Sequence, residues 1–292
     1  MRLISAGFVA ALAVALGLAP ASRGLAQNAS EATPPAAIRV VHEAPTNPAH
    51  QSVFERIRAD ATFAKSRDVF TLFRLPREIT FRTRSCSGRG GAWYFEGQVT
   101  VCYEYLQNVL DNAASDKRPD WVSAEGALSG AIADVVIHEG AHAVFEFYRT
   151  PLMGREEDAA DQFATFLILN LFGADAGAMI RGVAYSYLND AAVRNFAELP
   201  TLQNRMPPSR AYGGAHSTAL QRLFSVVCHA SGFDPDTYKD LVVMSELPSW
   251  RAGGCVEEYK QIAHAFHTLI GPRIDHDKAK AMFPQAKLLP AE

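Results

Sequence analysis

Between residues 52 and 74 the apolar positions Val53, Phe54, Ile57, Phe63, Val69, Phe70 and Phe73 recur at helical spacing, which predicts helix in two pieces. Leu75-Pro76 ends it. From 78 to 84 the pattern changes to alternation, Ile79, Phe81 and Thr83 against Thr80, Arg82 and Arg84, which predicts a strand. Two more short strands are expected over 93–95 and 98–102, around the turn Glu96-Gly97. Helical spacing resumes over 103–114 and again over 121–148. The second stretch is apolar and small on several sides (Ala127, Ile132, Val135, Val136, Ala143, Val144, Phe147), as in a helix buried over much of its surface. Further helices are expected over 156–172, 175–190, from 215 onward, over 234–243 and over 252–270, with a Pro- and Gly-containing loop at 195–214.

The buried helix carries His138-Glu139-Gly140-Ala141-His142. Residues four apart share one helix face, so His138 and His142 point the same way and supply half of a tetrahedral zinc shell. Glu139 then lies beside the metal, where it can take a proton from water. Such a motif also arises by chance on an amphipathic helix, so its surroundings decide its weight. After a turn at Thr150-Pro151 and Gly154, the next helix opens with Arg155-Glu156-Glu157-Asp158-Ala159-Ala160-Asp161, in which Glu157 and Asp161 are again four apart. An acidic helix start has an ordinary explanation too, since it complements the helix dipole.

Together the two stretches resemble the gluzincin metallopeptidases. That resemblance implies His138, His142 and Glu157 as zinc ligands, Glu139 as general base, and Asp161 as the carboxylate that orients His138. Here Glu156 stands where those helices often have Asn, and the gap between the motifs is short, so Glu156 and Asp158 remain alternatives for the third ligand. Gluzincins often place a His or Tyr across the zinc to bind the oxyanion, which implies such a role for His216. The larger set, Trp93-Tyr94, Cys102-Tyr103-Glu104, the two motifs, then Ala215-His216-Ser217 and Gln221-Arg222, resembles a family of exported metallopeptidases with a domain of unknown function (DUF4344), over about residues 50 to 270. The expected fold is α+β: a mostly helical zincin-like domain, with a small antiparallel sheet preceding the His138 helix. In gluzincins an edge strand pairs with extended peptide, and residues 99–102 are the expected counterpart.

Composition narrows the remaining classes. The 292 residues are 48 % hydrophobic and 20 % charged with a net charge of −3. No basic stripe is present, which argues against a nucleic-acid partner. Residues 1–26, with Arg2, an apolar run from Ile4 to Leu18 and small residues before Gln27, read as a secretory signal peptide. Residues 27–50, rich in Ala, Pro, Asn and Thr, read as a flexible linker with at most a short strand over 38–41, 51–276 as the metallopeptidase domain and 277–292 as a frayed tail. Export to a secreted location such as the bacterial periplasm places four cysteines in an oxidising compartment, and the expected pairs are Cys86–Cys102 and Cys228–Cys255. The expectation is thus an exported enzyme with one zinc per chain, a peptide or protein substrate and no stable membrane anchor after signal cleavage. The alternative is a zincin-like periplasmic protein that binds peptide or envelope material without cleaving it.

Overall fold

The computed structural model describes residues 37–88, 90–198 and 214–288. The expected signal peptide, the first part of the expected linker and most of the 195–214 loop lie outside the described residues. The elements follow in chain order as β1 (Ile38–His42), α1 (Gln51–Arg58), α2 (Ala61–Asp68), β2 (Ile79–Arg84), β3 (Ala92–Phe95), β4 (Gln98–Cys102), α3 (Tyr103–Ala114), α4 (Ala124–Tyr148), α5 (Glu156–Leu171) and α6 (Ala176–Glu198). Then come α7 (Ala219–Phe233), α8 (Pro235–Met244), α9 (Ser249–Ala252), α10 (Cys255–Leu269) and α11 (His276–Met282). No helix among the described residues is long and apolar enough to cross a membrane.

The class is α+β, as expected, but the sheet is mixed. Its order is β1-β2-β4-β3. β1 runs parallel to β2, β2 runs parallel to β4, and only β3 and β4 are antiparallel. Alternation in a sequence reports which face a residue takes and says nothing of strand direction. Direction follows from the connections: α1 and α2 make the crossover between β1 and β2, whereas Glu96-Gly97 closes a hairpin between β3 and β4. Both turn residues have positive φ, 45° and 82°, the backbone of a two-residue primed turn with Gly in its second place. Residues 99–102, expected at an edge, are therefore interior, paired on both sides; the two edge strands are β1 and β3.

α4 is the central element. It packs against α2, α3, α5 and α6 and against β3 and β4. Its residues are buried almost continuously from Gly126 to Phe145. Ser123 starts the helix by accepting a hydrogen bond from Gly126 N at 3.0 Å. Two glycines explain how neighbours come so near. A Cβ at Gly140, inside the histidine motif, would collide with the Phe70 ring, and one at Gly130 would collide with the backbone of α6 at Met179. Both positions thus demand the smallest residue because of packing.

Both expected disulfides are formed. Cys86–Cys102 ties the loop after β2 to the end of β4, and Cys228–Cys255 ties α7 to α10. The described parts of two stretches read as loose are packed. The described part of the expected linker contains β1 and the buried His50. The expected tail begins within the helix His276–Met282, Phe283 and Leu288 are buried, and Lys287 N donates to Asn170 O at 2.9 Å. Short apolar anchors spaced within polar sequence give too little periodicity to announce such docking.

Candidate metal centre

His138 and His142 project from the middle of α4 toward the first turn of α5, and both are buried. His138 Nδ1 lies 2.8 Å from Asp161 Oδ1, and His142 Nδ1 lies 2.8 Å from Glu156 Oε1. With both Nδ1 atoms engaged, both Nε2 atoms are left to face inward. They stand 3.1 Å and 3.4 Å from the same atom, Glu157 Oε2. His216 Nε2 reaches that atom as well, at 2.9 Å. The ligand atoms of His138, Glu157 and His216 lie within 4.8 Å of one another.

The spacings to Glu157 Oε2 fit a bound zinc, and of the three imidazoles His142 alone falls outside the set whose ligand atoms all lie within 4.8 Å of one another. Ligand atoms placed about 2.0–2.1 Å from a tetrahedral ion are separated from one another by roughly 3.3 Å. The donor types, imidazole nitrogens and a carboxylate oxygen, are also zinc's own. The two alternative acids are directed elsewhere: Glu156 to the outer nitrogen of His142, and Asp158 to Ser217 Oγ at 2.7 Å. A second cluster, Cys86, Cys102 and Glu104, lacks free sulfurs because they form a disulfide, and Glu104 accepts from Cys86 N and Gly88 N.

Behind His138 stands a buried polar assembly that the motifs only half disclose. Asp161 is gripped by Arg222 through Nε at 2.7 Å and Nη2 at 2.5 Å. The guanidinium lies over the Tyr187 ring, 4.3 Å from its centroid. Tyr187 OH donates to Asp134 Oδ2 at 2.7 Å. Asp134 occupies the helical turn before His138. Sequence reading passed over Asp134 and Tyr187 and gave Arg222 no role. A signal existed for Asp134, an acid four residues before His138 within an apolar helix.

The charges follow from this layout. Burial alone would lower His138, but hydrogen bonds to Asp161 and Glu157 outweigh it and raise its pKa to about 10. Burial would raise Asp161, yet its bonds with His138 and Arg222 hold it down at about 2. Glu157 is held far below the usual carboxylate range against the same burial, because three histidines face it. Glu139 moves the other way: burial pushes it up, and the neighbouring His138 and His142 only partly oppose this. Asp134 is pushed up to about 6 by burial and by the nearby Asp161 charge.

The centre opens onto a cleft of ≈ 490 Å³. Its walls include Glu139, His142, Glu157 and His216 on one side and Ala92, Trp93 and Tyr94 of β3 on the other. Tyr94 stacks on His142, with centroids 6.4 Å apart, and its hydroxyl donates to Glu146 Oε2 at 2.5 Å. β3 is thus both a sheet edge and a cleft wall.

Searches of curated proteins and of solved structures returned no significant match. A family model did match, over residues 42–270, a span that contains every residue of the centre. The chain belongs to that family, DUF4344, described as "Putative metallopeptidase".

Proposed function

We propose that this chain is an exported zinc-dependent peptidase, with His138, His142 and Glu157 as the ligands. The observation that carries the reading is the meeting of imidazole nitrogens on one carboxylate oxygen, Glu157 Oε2, at distances suited to a zinc shell. A zinc ion held there supplies Lewis acidity, acidifying water and polarising a substrate carbonyl.

The protein's own groups do the rest. Glu139 follows the first ligand histidine on α4 and borders the cleft, so its carboxylate takes the proton from the attacking water and later gives it to the leaving amine. Asp161, fixed by Arg222, holds the His138 ring with Nε2 inward. The edge strand β3 offers main-chain groups along the cleft for an extended peptide, a recognition mode that tolerates many sequences. The two disulfides and the apolar leader support a secreted or periplasmic location.

Glu139→Gln tests the assignment. It should leave zinc bound and abolish hydrolysis of a peptide mixture that the unaltered protein cleaves, read by mass spectrometry. Wild-type turnover in the variant would remove Glu139 from its role. Full zinc occupancy without hydrolysis in the unaltered protein would favour a peptide-binding protein instead.

A further inference from the structure

His216 was expected across the metal, as a donor to a substrate oxygen. Its position does not suit that task as it stands. A donor must leave room for the substrate oxygen between itself and the ligand shell. His216 Nε2 leaves none, since it is 2.9 Å from Glu157 Oε2, nearer than the Nε2 of either motif histidine. Its ring lies nearly parallel to that of His138, with centroids 5.9 Å apart and planes 16° apart.

The backbone that carries His216 is fixed from both sides. Ser217 Oγ donates to Asp158 Oδ1 at 2.7 Å, and Arg155 Nη1 donates to the same hydroxyl at 3.3 Å. Thr218 and Gln221 form a reciprocal cap that begins α7. One turn further on, Arg222 grips Asp161. Residues 216, 217 and 222 therefore meet 157, 158 and 161 in order along the start of α5. His216 is itself half exposed, with 51 % of its side chain open, so hydrophobic burial does not explain its inward reach. The Glu157 carboxylate draws it in together with His138 and His142, and a cation shared by these groups would hold all of them.

We infer that His216 is a protein ligand of the metal, its Nε2 joining His138 and Glu157 in the set whose ligand atoms lie within 4.8 Å of one another, with His142, which lies outside that set, closing in as the fourth when the ion binds; this rests on the zinc reading above. The resting shell is then closed. Closed shells are the habit of structural zinc sites, whereas catalytic sites keep one position open for water or substrate. His216 is the ligand best suited to give up its place, because it is exposed and lies outside the buried helix that carries the other two imidazoles. Withdrawal opens the position for water and leaves an imidazole beside the substrate, where it can meet the oxyanion.

X-ray absorption on the zinc-loaded full chain decides between the readings without any substitution. Three imidazoles in the first shell are expected. Two imidazoles would overturn the inference while leaving the zinc site standing. His216→Ala should retain zinc with two imidazoles, and its affinity should fall by at least the roughly 10-fold that loss of an outer-shell partner already costs. In the cobalt-substituted proteins, acetohydroxamate should bind His216→Ala more tightly than the unaltered chain, because its position is already vacant. Equal zinc affinity and equal hydroxamate binding would also overturn it. His138→Ala serves as the control and should lose the metal. If the unaltered chain itself took up no zinc, the site and the inference would fall together.

Discussion

Two places in this molecule hold an imidazole, a carboxylate and a guanidinium in the same order of contact. At one, His138 meets Asp161, which is gripped by Arg222. At the other, His229 Nε2 lies 3.0 Å from Glu258 Oε1, which accepts from Arg251 Nη2 at 2.7 Å. Both histidines are buried. What separates them is the second ring nitrogen. His138 Nε2 faces Glu157 and shares that carboxylate with two other histidines. His229 Nδ1 is buried with no hydrogen-bond partner. One arrangement aims an imidazole at a gathering of donors; the other fastens α7 to α10 beside the Cys228–Cys255 bridge. A His–carboxylate–Arg string therefore marks a supported histidine, and only convergence of further donors marks a metal centre.

The sharpest way to break this comparison is to remove each histidine. His138→Ala should abolish zinc binding, whereas His229→Ala should leave it intact and only lower the melting temperature. Zinc loss in both variants would show that the distinction is false.

The arginines come next. Arg222→Ala leaves the buried Asp161 carboxylate without its main partner, and breaking such a pair costs about 3–5 kcal/mol. His138 also loses its fixed orientation, so zinc affinity should fall by about 10- to 100-fold. The Arg251–Glu258 pair is more open to solvent, and Arg251→Ala should cost only about 1 kcal/mol with no effect on zinc. Urea unfolding of the two variants, together with a zinc competition titration, reads both differences.

The last test is one of pH. His229 holds Glu258 down at about 2, against the opposing pull of burial and with Arg251 assisting, from an ordinary value of 4.5. A carboxylate whose pKa is depressed by folding adds stability that is complete above its unfolded pKa. That contribution is lost as pH falls toward its folded value. Glu258→Gln should therefore show a weaker decline in stability between about pH 4.5 and about pH 2 than the unaltered protein. Identical acid profiles would mean that this pair adds nothing.

How far the sequence discloses the centre depends on whether a contact repeats at helical spacing. His138, Glu139 and His142 sit in one α4 stretch, and Glu157 with Asp161 sits in one α5 stretch, so each group is visible as a motif. Asp134 and Tyr187 meet across two helices, and nothing in either segment alone points to the other. Arg222 stands within the later resemblance, yet its grip on Asp161 exists only once α7 lies against α5. The same limit applies to the sheet. Alternation picks out β2, and the Glu96-Gly97 turn sets off β3 and β4, while the parallel pairing of β2 with β4, which puts β4 inside the sheet and β3 at an edge, follows from tertiary connection. The disulfides are readable because each pair is close in sequence, with separations of 16 and 27 residues.

Zinc per chain, measured in protein purified without added metal and again after reconstitution, tests the central claim most directly when the unaltered chain is set beside His138→Ala. The account predicts about one zinc in the unaltered chain and none in the variant, as expected for a single centre whose ligands converge on Glu157. An unaltered chain that took up no zinc even after reconstitution would contradict it.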